Sequence, residues 1–345
     1  RLKEDGGYTG AFWPKSRART MTDQERKWVD GCVIFYKESK FNLRESHVFE
    51  FQQSAMQQED FKKSAVAFDR FFTKDNIAAF MVLEHKVKGT PLLVANCHIH
   101  WNPEYTDVKV VQVAMLMEEI ERLTARYGSS TSKSSGTMRT SGKASTMGKS
   151  NGDGTPYLST ILCGDFNSTP DSGVVEYITR GTLPKDHADL IKCTYSKFAT
   201  KGFLHSLSLK SAYGAVGELP LTNFSPSFRD VIDYIYYSDG TLTPTGLLGA
   251  VDPDYLDRVV GFPTPDIPSD HICLMSQFKW KSSPSTTTAT TTRSVSSGAS
   301  STAFGTTRMG GVGSSFTFNR PHSESSAPGS PSSQFRKTTS SLGKK

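Results

Sequence analysis

Two long segments rich in Ser, Thr and Gly limit what this chain can fold into. They cover residues 128–156 and 281–345 and contain few large apolar side chains. Such segments cannot bury enough surface to offset the conformational entropy lost on folding. We therefore predict one folded domain over residues 1–280, with a disordered insertion at 128–156 and a disordered Ser/Thr-rich tail at 281–345. The foldable part, roughly 250 residues, is long enough for one large core.

The net charge of +6 is unevenly distributed along the chain. Residues 281–345 carry a net charge of +7 and residues 128–156 carry +3, which leaves about −4 for the predicted domain. Basic charge in disordered segments attracts polyanions only weakly and in a salt-sensitive way. A mildly acidic domain favours a site built from metal-binding carboxylates over a broad basic groove.

The cysteines indicate a reducing compartment. The chain has five of them and no CxxC pair. An odd number of cysteines, mostly in or beside apolar runs, is typical of reduced and buried thiols. We therefore expect a cytoplasmic and nuclear protein. No apolar run approaches the roughly 20 residues of a membrane span, so no membrane partner is expected.

Short runs of β-branched and aromatic residues outnumber stretches with helical spacing. The predicted strands cover residues 29–36, 41–51, 78–87, 91–99, 158–163, 231–237 and 272–280. The predicted helices cover residues 107–127, with Asp107 as the N-cap, and 172–179. No regular strand–helix alternation links these elements. A layered α/β sandwich is therefore favoured over a doubly wound sheet.

A carboxylate and a carboxamide follow the apolar strand at 158–163. Asp165 and Asn167 stand two residues apart in Gly-Asp-Phe-Asn, so both are expected on one side at the carboxyl end of the strand. Their oxygens can bind a hard cation, and Asp165 can accept a proton from water. The alternative is an ordinary turn with no chemical role.

Acidic and imidazole groups elsewhere add to this candidate site. Asp270 precedes His271 and is expected to position its imidazole, with a capping Asp beside a surface His as the alternative. Asp233 lies inside an apolar strand, where an unpaired charge is costly, so it is expected to line a pocket or to form a structural pair. His98 and His100 alternate along a strand. Phosphate contact is favoured for His98, and packing for His100, over a zinc site.

The order of these motifs is more specific than any one of them. It resembles the endonuclease/exonuclease/phosphatase superfamily and, within it, the deadenylases of the CCR–NOT complex, over residues 1–280 apart from the insertion. The stretches that carry the resemblance are HIHWNPEYTDVK at 98–109, LCGDFNSTPDSG at 162–173, TNFSPSF at 222–228, IDYI at 232–235 and SDH at 269–271. The resemblance implies a four-layer α/β sandwich in which two packed mixed β-sheets are flanked by helices, with the first strands missing from this chain.

The resemblance also implies a role for each site residue. The implied catalytic residues are Asp165 as general base, Asn167, His98, Asp270 and His271. The implied metal ligands are Asp165, Asn167, Asp233 and His271. The implied adenine site consists of Pro103 and Phe228, which sandwich the base, and Asn223, which hydrogen-bonds near it. Stacking tolerates any base, so adenine preference needs a polar group of this kind.

The function implied is that of a Mg²⁺-dependent 3′-to-5′ poly(A)-specific exoribonuclease. Such an enzyme shortens mRNA poly(A) tails and releases 5′-AMP as a subunit of the CCR–NOT complex. Two Mg²⁺ ions are implied, with Mn²⁺ as an alternative. Two other interpretations stay open at this point. One is a related Mg²⁺-dependent phosphodiesterase or phosphatase acting on another substrate, such as abasic DNA or an inositol phosphate. The other is a non-catalytic RNA-binding scaffold.

Some features of the resembled family are not found in this sequence. The superfamily has an Asn at the end of its first strand and a metal-binding Glu in a Gln-Glu-Val context, and residues 1–7 resemble the segment that follows this Glu. The leucine-rich repeats that recruit partner subunits are likewise absent from the 345 residues. We therefore expect these residues alone to be inactive and prone to aggregation, and the parent protein to be active.

Overall fold

A six-stranded mixed β-sheet forms the centre of the fold. The computed structural model describes residues 2–4, 6–128 and 158–281, and these residues belong to one compact unit. The insertion expected at 128–156 and the tail expected at 281–345 fall almost entirely outside the described residues, and both stay predictions.

Strands predominate over helices, as the sequence patterns predicted. The described strands are β1 (Tyr8–Pro14), β2 (Gly31–Lys37), β3 (Phe41–Glu50), β4 (Ile77–His85), β5 (Pro91–His98), β6 (Ser159–Asp165), β7 (Thr182–Leu183), β8 (Phe203–Leu204), β9 (Leu209–Ser211), β10 (Asn223–Ser225), β11 (Phe228–Asp230), β12 (Asp233–Ser238), β13 (Leu242–Leu247) and β14 (Ser276–Trp280). The described helices are α1 (Asp23–Arg26), α2 (Phe51–Met56), α3 (Glu59–Lys62), α4 (Ala65–Arg70), α5 (Thr106–Gly128), α6 (Gly173–Arg180), α7 (Ser196–Lys201) and α8 (Pro253–Leu256). Each strand and helix predicted above has an observed counterpart with shifts of one or two residues at its ends, except that the last strand begins at Ser276 and not at residue 272.

The central sheet has the strand order β3-β4-β5-β6-β12-β9. Its pairs are antiparallel except for β5 and β6, which run parallel. A parallel pair needs a crossover connection, and here the crossover contains α5. This arrangement places the carboxyl ends of β5 and β6 at the same edge of the sheet as the first residue of β12.

Strand β4 shows why the sheet lies in the middle of the molecule. Every residue from Ile77 to Leu83 is buried. Phe80 and Val82 pack into the core on the helix side, whereas Ala79 and Met81 pack into a second core on the other face. A continuous apolar run without alternation is what a strand covered on both faces requires.

Helices α2 to α7 cover one face of the sheet, and α5 is the longest of them at 23 residues. The sequence analysis was wrong about Asp107, because the helix already includes Thr106 and Asp107 is 1% exposed. Its carboxylate instead binds the Arg70 guanidinium and accepts a hydrogen bond from the Tyr195 hydroxyl at 2.8 Å. A buried charge requires such partners. None of the helices in the described ranges has the length and apolar character needed to cross a membrane.

Two ribbons cover the opposite face of the sheet. The β1–β2 ribbon packs Cys32 and Ile34 over one half of the sheet, and the β13–β14 ribbon packs Leu242 and Phe278 over the other half. The sequence analysis expected two mixed sheets. The central sheet is mixed as predicted, but the second layer, in the part of the chain described, consists of two antiparallel ribbons that do not pair with each other.

Leu162 tests how much of the stability comes from this packed centre. It lies in β6 and is fully buried against the helix-side core. We expect Leu162→Ala to lower the free energy of unfolding by about 2–5 kcal/mol, because it removes apolar contacts and leaves a cavity. Urea unfolding measures this change. The matched control is Leu204→Ala at a site that is 69% exposed, where we expect a change within about 0.5 kcal/mol. Equal effects of the two substitutions would contradict the packing described here.

Candidate active site

Three strand ends of the central sheet bring His98, Asp165 and Asp233 into one row. His98 ends β5, Asp165 ends β6 and Asp233 begins β12. The parallel register pairs His98 with Asp165, and the antiparallel register pairs Asp165 with Asp233. Side chains of directly paired residues lie on the same face of a sheet. Strand register alone therefore assembles three of the predicted site residues.

The residues around Asp165 in Gly-Asp-Phe-Asn fix its position. Gly164 has φ +150°, and a Cβ atom there would lie 2.1 Å from the carbonyl oxygen of Cys97 on β5, so only glycine fits. Phe166 is fully buried, with its ring edge-on to those of Tyr234 and Tyr236 at centroid distances of 5.8 and 5.4 Å. Because Phe166 points into the core, its two polar neighbours point toward the site.

Asn167 turns back onto Asp165. Its backbone has φ +49°, and its N–H donates to Asp165 Oδ1 at 2.8 Å, while its side-chain amide donates to the Ile99 carbonyl at 3.0 Å. Lys109 on α5 holds the same turn, since its ammonium donates to the Asn167 carbonyl at 2.5 Å. Burial lowers the pKa of Lys109, and the nearby Asp165 carboxylate opposes that shift. Lys109 was not among the predicted site residues, although a lysine within an apolar helical stretch was a signal that could have identified it.

Asp233 binds His271 directly. His271 Nδ1 lies 2.8 Å from Asp233 Oδ2, and the Thr222 hydroxyl donates to the same oxygen at 2.8 Å. The sequence analysis assigned the positioning of His271 to Asp270, and this assignment was wrong. The Asp270 carboxylate instead accepts a hydrogen bond from the Asn223 side-chain amide at 3.3 Å. The Asp270 carboxylate is therefore engaged with Asn223, and Asp233 is the carboxylate that positions the imidazole of His271.

The charges of the site are set by burial and by these pairs. Burial, with the Asp233 carboxylate as a second cause, raises the pKa of Asp165 to about 6. The hydrogen bond to Asp233 raises the pKa of His271 to about 9. Burial, with the Lys15 ammonium as a second cause, lowers the pKa of His98 to about 4. At neutral pH the site therefore contains an imidazolium at His271 and a neutral imidazole at His98.

His98 has a second carboxylate partner that sequence reasoning missed. Its Nε2 lies 3.6 Å from Asp165 Oδ2, and its Nδ1 lies 3.6 Å from Asp30 Oδ2. Asp30 itself is held by Lys15 at 2.6 Å and by Arg17 at 2.5 Å. In the sequence Asp30 was only the residue before a strand-opening glycine, and nothing local indicated that it faces His98.

His100 packs in the core next to this site, as the packing interpretation predicted. It is 7% exposed, and its ring lies edge-on to Tyr105 at a centroid distance of 5.2 Å. Its backbone N–H donates to Gln112 Oε1 at 3.0 Å. The group of potential metal ligands found among the described residues does not include either His98 or His100.

Asp165, Asp233 and His271 form a group that can hold a metal ion. One ligand atom from each lies within 4.8 Å of the others. The donor set fits a hard cation, because two carboxylates face each other and a cation between them would remove their repulsion. Asn167 adds a carboxamide oxygen beside this group, and nothing in the described part of the chain donates a hydrogen bond to it.

A cleft of about 630 Å³ borders this metal-binding group. Asn167 and His271 line it, and so do the three residues predicted to bind adenine, Pro103, Asn223 and Phe228. Phe228 is 40% exposed, whereas Asn223 is 6% exposed and forms a β-bridge with His271. The cleft thus brings together the three residues of the predicted adenine site and two of the four predicted metal ligands, whereas Asp165 and Asp233 are not among the residues that line it.

The sequence from residue 133 to residue 271 matches the model of the Endonuclease/Exonuclease/phosphatase family. This range includes Asp165, Asn167, Asp233 and His271. The match confirms the predicted resemblance to this family over this range, which is about two fifths of the chain.

Within the family, the chain is a homologue of Ccr4 exoribonuclease subunits. The CCR4-Not complex 3′-5′-exoribonuclease subunit Ccr4 of Mycosarcoma maydis is 46% identical over 288 residues, which cover 84% of this chain and 42% of that protein. The protein of the same name from Yarrowia lipolytica is 43% identical over 281 residues, which cover 80% of this chain and 38% of that protein. The chain thus spans about two fifths of the length of these relatives.

A solved structure supports the fold. ANGEL2, described as a 2′,3′-cyclic phosphatase and crystallised with adenosine-2′,3′-vanadate, superposes with a TM-score of 0.57. The match covers 80% of this chain and 75% of that chain at 22% identity. Similarity at this level concerns the fold alone.

The pairing of His271 with Asp233 predicts a pH effect in the metal-free protein. We expect NMR titration of His271 to give a pKa of about 9 and Asp233→Asn to bring it back toward the ordinary value of about 6.5. A folded-state pKa above the unfolded value stabilises the fold fully below pH ~6.5, and this contribution is lost as the pH rises through about 9. Asp239→Asn, which removes a carboxylate bound to Lys210 instead, is the control and should leave His271 unchanged. An ordinary His271 pKa in the wild type would refute the pair.

Proposed function

We propose that this protein is a Mg²⁺-dependent 3′-to-5′ exoribonuclease that shortens poly(A) and releases 5′-AMP. The observation that carries the proposal is the shared cleft. Asp165 and Asp233 each have a ligand atom within 4.8 Å of His271, and His271 lines the same cleft as Pro103 and Phe228. The names of the Ccr4 relatives support an exoribonuclease activity.

The residues present fit Mg²⁺, with Mn²⁺ as the alternative ion. When bound, two such ions would favour ionisation of the attacking water and stabilise charge on the departing 3′-oxygen. Asp165 and Asp233 supply the carboxylate oxygens that Mg²⁺ prefers, and Asn167 supplies a neutral oxygen. The raised pKa of Asp165, about 6, means that it is mostly ionised at neutral pH and can accept a proton from water.

His271 is better suited to the phosphate than to the metal. Its Nδ1 is occupied by Asp233, and its raised pKa of about 9 keeps it protonated. In this protonated form the imidazole leaves the cation to the two carboxylates, and its Nε2–H can donate a charge-assisted hydrogen bond to a phosphate oxygen. The neutral imidazole of His98 can donate one further hydrogen bond to the same group.

The cleft residues can select adenine. Pro103 and Phe228 offer apolar surfaces for stacking, which any base would satisfy. The Asn223 amide nitrogen donates to Asp270, which orients its carbonyl oxygen as a free acceptor among the described residues. Adenine presents an amino donor to such an acceptor, whereas uracil presents a carbonyl oxygen at the corresponding edge and would be repelled.

We further propose that the protein acts within the CCR–NOT complex, in the cytoplasm and the nucleus. Membership of the complex is supported by the names of the relatives. The location is supported by the five cysteines, which are free thiols in the described residues and so suit a reducing compartment.

Asp165 tests the catalytic proposal. In the full-length protein we expect Asp165→Asn to lower the rate of Mg²⁺-dependent oligo(A) shortening by roughly 10²–10⁴-fold, because a general base and a metal carboxylate are lost together. The same substitution should stabilise the metal-free protein at neutral pH, since it removes the repulsion from Asp233. Gel assays with labelled oligo(A) and urea unfolding measure the two effects. Asp239→Asn is the control for both, and full activity of Asp165→Asn would exclude the proposed role.

Asn223 and Phe228 test the base selection. We expect Asn223→Ala to reduce the preference for oligo(A) over oligo(U), and Phe228→Ala to weaken the binding of both by roughly 5- to 100-fold. Steady-state kinetics on the two substrates separate these effects. Phe68→Ala is the matched control, because Phe68 is 65% exposed and does not line the cleft. A preference unchanged by Asn223→Ala would assign base selection to another group.

A further inference from the structure

Trp101 is a large aromatic side chain in the cleft without a role in the site described so far. It is 68% exposed and lines the cleft together with Pro103. Its one ring contact among the described residues is with His100, tilted at a centroid distance of 6.2 Å. Exposing a tryptophan forgoes apolar burial, so a tryptophan presented at a cleft is typical of a binding surface.

The backbone on both sides of Trp101 is held in place. On one side, the His100 N–H is bound by Gln112. On the other side, the Asn102 side chain accepts a hydrogen bond from the Glu104 N–H at 2.9 Å and caps the 3₁₀ helix that begins at Pro103. A fixed aromatic surface loses little conformational entropy when a base stacks on it.

A cation without an acidic partner is linked to Trp101 through the rings of Tyr105 and His100. The Lys74 ammonium sits 4.2 Å from the centroid of the Tyr105 ring, and that ring contacts His100, which contacts Trp101. Within the described residues no carboxylate lies within ion-pair distance of Lys74, whereas Arg70 on the same ring is paired with Asp107. An ammonium of this kind is free to bind a phosphate.

We propose that Trp101 and Lys74 form a second nucleotide subsite, in which a base stacks on Trp101 and a backbone phosphate binds Lys74. The ligand class is single-stranded RNA. The inference rests on the proposed function, in which the terminal adenosine lies between Pro103 and Phe228. A 3′-terminal nucleotide has a neighbour only on its 5′ side, so the second subsite holds the nucleotide on that side. Trp101 stacks on any base, and the subsite does not select adenine.

Binding without catalysis tests the subsite. The full-length protein in EDTA, where no cleavage occurs, is titrated with an adenylate octanucleotide and with AMP, and binding is followed by anisotropy and tryptophan fluorescence. We expect Trp101→Ala to weaken octanucleotide binding by roughly 5- to 100-fold and to leave AMP binding unchanged. We expect Trp101→Phe to keep most of the affinity for the octanucleotide. It should lose the decrease in tryptophan fluorescence that a base stacked on Trp101 causes in the wild type. Trp28→Ala, at a tryptophan 83% exposed and outside the cleft lining, changes neither.

The salt dependence of octanucleotide binding tests the role of Lys74. We expect Lys74→Gln to weaken octanucleotide binding and to make the slope of log affinity against log salt shallower by about 0.7, as one phosphate contact is lost on a single strand. Lys201→Gln, at an exposed lysine on α7, is the control. With Mg²⁺ present, Trp101→Ala should raise KM for long oligo(A) and leave kcat unchanged, because uniform binding is lost.

The outcomes separate this inference from the proposed function. If the wild type neither binds nor shortens oligo(A), the proposed function itself fails. If the wild type binds and Trp101→Ala matches Trp28→Ala, only the second subsite is overturned. A loss of AMP affinity in Trp101→Ala would also overturn it, since Trp101 would then belong to the terminal nucleotide.

Discussion

The close approach of the Asp165 and Asp233 carboxylates, which lie within 4.8 Å of each other, is the constraint on which the rest of the site depends. Strand register fixes them opposite each other, and like charges withdrawn from water repel. The His271 imidazole and the Thr222 hydroxyl bind one oxygen of Asp233, and the Asn167 N–H binds one oxygen of Asp165. These contacts offset part of the repulsion, while the pKa of Asp165 stays raised. A cation would remove the remainder, so the arrangement favours a metal site over a structural pair.

The same register ties the site to the core. Leu162 and Tyr236 are paired across β6 and β12 and are both fully buried. A slip of one residue would turn such side chains toward the opposite face, so Asp165 cannot lose its position opposite Asp233 without disrupting the core. Phe166 adds a second anchor just beyond the strand. The geometry of the site and the stability of the sheet therefore have a common physical origin.

Patterns of neighbouring residues predicted those features of the fold and the site that are set within a single strand or turn. The run at 78–87 predicted a strand, which is observed as Ile77–His85, and Asp165 and Asn167 were predicted to share one side because side chains alternate. The partner of His271 could not be predicted in this way. Asp270 is adjacent in sequence, but the hydrogen bond goes to Asp233, 38 residues away, because β12 brings Asp233 to the site while the Asp270 carboxylate binds Asn223. Lys109 was not predicted for a similar reason, because the Asn167 carbonyl that accepts its hydrogen bond lies on a loop 58 residues further along the chain.

Under the proposed function, the charge distribution affects how the site would bind RNA. Because the predicted domain is mildly acidic, long-range attraction contributes little, and recognition depends on contacts inside the cleft. Stacking on Phe228 and Pro103 is short-ranged and tolerant of the base, whereas the carbonyl oxygen of Asn223 is selective. An enzyme that removes one nucleotide at a time must release each product and admit the next base to the same pocket. Such binding relies on one contact that selects the base and on several contacts that accept any base. It allows the RNA to advance through the cleft, because few charge pairs have to break at each step.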